Sequence, residues 1–209
     1  MNNWKTLSLL TFASLSFWYC SSKPQQVEQP LPKLGNWYVE TNGDTVYHQI
    51  AEFKFLNQEG DSISNADMAG KVYVADFFFT TCPTICPIMK KEMLRVYELY
   101  KDNPNFKILS HSIDPTHDTQ EVLKDFAEKL GVEDASTWNF LTGPSQKIYE
   151  IGQTSYLTTA QEDQLEPGGF LHSGAFVLVD QNGHIRGVYD GTKADQVDDL
   201  IRDIPKILP

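Results

Sequence analysis

Three features of this 209-residue sequence predict an α/β sandwich built on a central mixed sheet. Residues 71–80 (KVYVADFFFT) are apolar at nearly every position, the pattern of a strand buried on both faces. Directly after it, Ile88, Met89, Met93, Leu94, Val96, Tyr97 and Tyr100 recur at helical spacing. Near the end, residues 175–180 (AFVLVD) and 184–189 (HIRGVY) flank Gln181-Asn182-Gly183, the turn chemistry of a β-hairpin.

The other elements fall around these in order. Residues 37–63 offer short alternating runs with turn signals at Asn42-Gly43 and Glu59-Gly60, an N-terminal β region. Residues 106–113 (FKILSHSI) return as a strand, and Asp114-Pro115 turns the chain into a helix over about residues 119–130, with Asp118 as its cap. A short apolar run at Trp138–Leu141, a helix over residues 145–152, an insertion, the hairpin and a closing helix over residues 194–207 complete the chain.

Composition narrows the function. Apolar residues make up 41% and charged residues 22%, ordinary globular usage that excludes a disordered chain, a fibrous repeat or a multi-span membrane protein. The charge balance, 17 − 28 = −11, repels phosphate backbones, so no nucleic-acid partner is expected. Three cysteines do not make a disulfide scaffold: one stands at position 20, the other two at 82 and 86.

Residues 1–19 carry Lys5 and then an apolar run from Leu7 to Tyr19, too short to span a bilayer but suited to a signal peptide. The run ends at Cys20, and the whole resembles a bacterial lipoprotein signal in which Cys20 becomes the lipidated N-terminus. An uncleaved anchor and a simple secretory signal are the alternatives, and all three export the chain. Residues 20–35, polar and proline-rich, read as a tether, and residues 36–209 as the folded unit.

The segment Thr80-Thr81-Cys82-Pro83-Thr84-Ile85-Cys86-Pro87 joins the buried strand to the amphipathic helix. Pro87 belongs at the first helical position, so both sulfurs sit near a helix N-terminus, whose partial positive charge favours thiolate. Three readings are open. A structural disulfide would close only a very small loop and gain little from it. A metal site would suit Cu(I), since two thiolates are soft donors, but needs a third ligand from elsewhere. A thiol–disulfide oxidoreductase would use Cys82 to attack and Cys86 to resolve.

Among five histidines, His184 reads as a solvent-facing strand residue, His117 as part of the turn before a helix, His111 as a packing residue and His48 as unassigned. His172 differs: it follows the turn Pro167-Gly168-Gly169 and precedes a buried strand, where sites collect in α/β sheets. Asp76 inside the buried strand is either paired structurally or tunes the cysteines.

The succession TTCPTICPIM, SIDPTHDT, WNFLTG and FLHSGAFVLVDQNG, from about Trp37 to Pro209, resembles the SCO/SenC family of copper-binding, thioredoxin-like proteins. The resemblance implies a thioredoxin-like sandwich with an N-terminal β extension and an insertion before the final hairpin. It implies copper, Cu(I) or Cu(II), held by Cys82, Cys86 and His172, and a Cys82–Cys86 disulfide when oxidised. It further implies a metallochaperone for the CuA centre of cytochrome c oxidase, with an oxidase subunit as recipient, a copper donor protein, and a membrane-anchored place facing the periplasm or cell exterior. The alternative is a membrane-tethered oxidoreductase reducing the cysteines of a target. Where the family commonly has an acidic residue between the cysteines this chain has Thr84, and it has Leu171 where Asp often precedes the histidine.

Overall fold

The computed structural model describes residues 30–209; the expected signal segment, Cys20 and most of the tether lie outside them. A five-stranded sheet forms the centre, in the order β11-β10-β5-β6-β7. β5 (Val72–Phe78), buried at all seven positions, runs parallel to β6 (Phe106–Ser112), and β6 runs parallel to β7 (Trp138–Leu141). On its other side β5 pairs antiparallel with β10 (Ala175–Val179), which forms the hairpin with β11 (Ile185–Asp190). The expected mixed sheet is therefore present.

Alternate side chains of a strand point to opposite faces. Asp76 and Phe78 of β5 meet α2 (Cys86–Tyr100), through Lys90, and Phe78 also meets α3 (Gln120–Lys129), through Phe126. Phe77 faces the other way, stacked on His111 and edge-on to Tyr156, on the side of α4 (Ser145–Thr154). α5 (Ala194–Asp203) joins α2, where Arg95 pairs with Asp198 and the Tyr100 hydroxyl donates to the Ile201 carbonyl.

The N-terminal extension comprises two hairpins, β1 (Trp37–Val39) with β2 (Thr45–Tyr47) and β3 (Lys54–Leu56) with β4 (Ser62–Ser64), followed by a single turn, α1 (Asn65–Met68). Among the described residues no helix is long and apolar enough to cross a membrane.

Three local expectations are corrected, and the insertion gains a defined structure. α2 begins at Cys86, one residue before Pro87. Thr119, not Asp118, caps α3, its hydroxyl accepting from the Val122 amide, while the Asp118 carboxylate is turned inward. His184 is buried, its Nδ1 bonded to the His48 carbonyl, because the extension folds over the end of the β10–β11 hairpin. The insertion holds a ribbon of two short strands, β8 (Ala160–Glu162) and β9 (Phe170–His172).

Candidate metal centre

The chain leaves β5 at Phe78 and reaches α2 at Cys86 through a loop, so Cys82 and Cys86 lie at the C-terminal end of the central strand. A buried carboxylate holds the start of this loop. Asp118 accepts from the Thr80 amide at 3.1 Å, the Thr80 hydroxyl at 2.5 Å and the Ser112 hydroxyl at 2.5 Å, and its other neighbour is the His117 ring at 3.0 Å. It thus ties the ends of β5 and β6 together two residues before Cys82. The exposed His117 titrates upward because Asp118 bonds to it.

The ribbon β8–β9 supplies the third group. His172 ends β9, paired in register with Ala160, and is only 8% exposed. Its Nε2 lies 3.3 Å from the Cys86 sulfur and 3.9 Å from the Cys82 sulfur, and the three candidate ligand atoms all fall within 4.8 Å of one another. Its Nδ1 lies 3.2 Å from the Ser173 carbonyl. A carbonyl only accepts, so Nδ1 carries the proton and the lone pair of neutral imidazole sits on Nε2, facing the sulfurs. Ring packing holds that orientation: Phe79 meets His172 edge-on at 5.8 Å and Phe170 at 5.1 Å. Gly168, at φ +90°, lets the ribbon's turn approach Phe79, where any added Cβ would lie 2.8 Å from the ring.

The two thiols are electrostatically unequal. Burial pushes the Cys82 thiol up, but hydrogen bonds with the Thr84 and Cys86 backbone and side chains more than cancel this, holding it below an ordinary thiol. The Thr84 hydroxyl stands 3.6 Å from that sulfur. Burial dominates at Cys86 and raises its thiol strongly; a bond to the Phe79 backbone and the charge of Lys90 offset only part of this. His172 is held below the usual imidazole value, chiefly by burial, which keeps it neutral and able to bind a metal.

A cavity of about 220 Å³ opens onto Cys82, Thr84 and His172, walled by Phe170, Leu171 and Glu166. A larger one of about 590 Å³ lies between β3 and α4, but no cysteine or histidine lines it.

Of the remaining histidines, none joins the cluster. His48 Nε2 bonds the Ser155 carbonyl, His184 the His48 carbonyl, and His111 is enclosed by the rings of Phe53, Phe55, Phe77 and Tyr156 with neither ring nitrogen bonded. Asp76 is fully buried and paired, accepting from Lys90 Nζ at 2.6 Å and from the Ser110 hydroxyl. Sequence reading missed Lys90 as the partner; its signal was a lysine among Met89, Met93 and Val96 on the buried face of α2.

Residues 42–208 match the SCO1/SenC family profile. The chain belongs to the SCO1/SenC family. It is 32% identical over 202 residues to the SCO1 protein homolog of Bacillus subtilis, covering 96% of both chains. A SCO1/SenC family lipoprotein from Bacillus anthracis superposes with a TM-score of 0.70 at 33% identity, over 78% of this chain and 96% of that one. BsSco, described as a Sco-family cytochrome c oxidase assembly protein with a disulfide switch, gives 0.67 at 32% identity, over 77% of this chain and 93% of that one. Copper-bound ScoI of Bradyrhizobium japonicum shares the fold, with a TM-score of 0.57 at 23% identity over 73% and 97%. The thioredoxin-like architecture expected of this SCO1/SenC chain is thus its observed one.

Proposed function

We propose that this SCO1/SenC chain is an exported metallochaperone that carries copper between Cys82, Cys86 and His172 and delivers it to the CuA site of a cytochrome c oxidase subunit. The convergence of the Cys82–Cys86 pair with His172, some 86 to 90 positions farther along the chain, carries the reading. Two thiolates and one imidazole are a soft, three-donor set that suits Cu(I) in trigonal geometry and falls short of the four protein ligands of structural zinc. The cavity beside Cys82 and His172 leaves a side from which a recipient's ligands can approach and exchange the metal. The partners this reading calls for are the oxidase subunit and a copper donor protein. Its place is the outer face of a membrane, tethered through a lipid on Cys20 after removal of residues 1–19, with residues 20–35 as linker and residues 36–209 as the folded domain. A lipoprotein among its relatives supports that tethering. The experiment is an anaerobic Cu(I) titration of the reduced chain, with and without His172.

The unequal thiols favour a second activity of the same pair. Cys82 as thiolate attacks a disulfide of a target protein, forming a mixed disulfide and releasing one target thiolate. Cys86, deprotonated, then displaces the second target sulfur. The target gains two electrons as a dithiol and this chain is left with a Cys82–Cys86 disulfide. A dithiol reductant must then regenerate the pair. Reduction of a disulfide in a CuA-domain peptide by the copper-free dithiol form tests this step.

A further inference from the structure

The β1–β2 hairpin leaves large side chains in solvent: Trp37 is 63% exposed, Tyr38 60%, Val39 55% and Tyr47 39%. The register sets Trp37 opposite Tyr47 and Val39 opposite Thr45. Trp37, Val39 and Tyr47 therefore share one face, with Tyr38 on the other. At the edge of that face the Lys33 ammonium lies 4.5 Å above the Tyr47 ring.

Position, reach and chemistry together indicate what covers this face. The Leu34 amide donates to the Ile185 carbonyl, the Arg186 guanidinium binds the Leu31 and Pro32 carbonyls, and the His48 amide donates to Asn36. These bonds moor the hairpin and the incoming chain beside the start of β11. Ile185 there pairs with Val179, and Val179 with Tyr73, so this is the end of β5 remote from Cys82. From Cys20 to Pro30 the chain reaches at most about 36 Å when extended, so a lipid on Cys20 brings this pole within reach of a bilayer. Tryptophan and tyrosine beside a lysine suit the headgroup level of a membrane. A net charge of −11 opposes anionic lipid and leaves a zwitterionic surface as the one that fits.

We propose that the β1–β2 hairpin is a membrane-docking element that lays Trp37, Val39 and Tyr47 into the headgroup region of a zwitterionic bilayer, turning Cys82, Cys86 and His172 outward. The seven residues of β5 alone then place the cysteines roughly 20 Å farther from the lipid than the hairpin. The proposal rests on the tethering through Cys20, and its test separates the two.

The full chain carrying Trp4→Phe and Trp18→Phe keeps two of its four tryptophans, Trp37 and the fully buried Trp138. It is reconstituted on phosphatidylcholine vesicles whose acyl chains are brominated near the headgroup. Flotation with the vesicles reads the tether; bromine quenching reads the hairpin. The expected result is loss of about half or more of the Trp37 emission, absent after Trp37→Phe, with weaker quenching by bromines placed deeper. If the chain does not float, the tether reading fails. Quenching is then read on a Cys82→Ser, Cys86→Ser form coupled through Cys20 to a maleimide lipid, where the same loss still supports the docking hairpin. In either preparation, a Trp37 emission that stays unquenched and red-shifted, as in water, overturns the proposal. So does a blue shift that follows protein rather than lipid concentration, which would make the occupant a second copy of this chain.

Discussion

Cys82 and Cys86 stand four positions apart and yet face different surroundings. The Thr84 and Cys86 amides bond to the Cys82 sulfur, whereas Cys86 lies deeper, under the ribbon that carries His172. Thiolate is the reactive form, so the depressed thiol alkylates first. Iodoacetamide added to the reduced protein across about pH 6 to 9, with the sites mapped by mass spectrometry, is expected to modify Cys82 at lower pH than Cys86; equal rates, or Cys86 first, would contradict the asymmetry. His111 makes a separate prediction. Burial without a hydrogen bond lowers its pKa to about 3 in the folded chain, against about 6.5 unfolded. Between these values the unfolded state holds the extra proton, so stability falls as pH drops below about 6.5, by up to about 1.4 kcal/mol per pH unit. His111→Phe, stacked on Phe77 in the same aromatic cage, is expected to remove that slope in denaturant titrations at a series of pH values. An unchanged slope would place the acid sensitivity elsewhere.

Elements differ in how plainly they are written in the sequence. β5 was legible because burial on both faces demands an unbroken apolar run, and Asp76 stood out within it. What Asp76 does was not legible, since its partner Lys90 lies on another element. Removing one member of a buried ion pair leaves an uncompensated charge, so Asp76→Ala is expected to cost about 3–5 kcal/mol in chemical unfolding. Asp76→Leu combined with Lys90→Met is expected to recover most of that; a double variant as unstable as the single would show that the pair does more than satisfy itself. The β8–β9 ribbon was hidden because its strands are three residues each, and Ala-Gln-Glu carries no β pattern. α1 is a single four-residue turn, too short to show a periodicity. His184 was misjudged as solvent-facing because its cover comes from a segment 136 positions earlier, a contact that no local pattern encodes.

At the scale of the molecule, a mixed sheet gathers its chemistry at one pole and its chain entry at the other. The two cysteines were legible from their prolines and their place between strand and helix, and His172 from the glycine turn before it. The three-way convergence needed the fold, because the ribbon must cross back over the end of β5 to bring residue 172 to residue 86. Membership of the SCO1/SenC family rests on a separate observation, the profile match over residues 42–208. The proposed function then turns on one property of the assembled site, its hold on copper. The deciding measurement is an anaerobic titration of Cu(I) into the reduced protein against a competing chelator, beside His172→Ala with its fold checked by circular dichroism. The account predicts one tightly held copper per chain, and an affinity at least about tenfold weaker once His172 is gone. Failure to compete with the chelator, or an affinity untouched by His172→Ala, would contradict it.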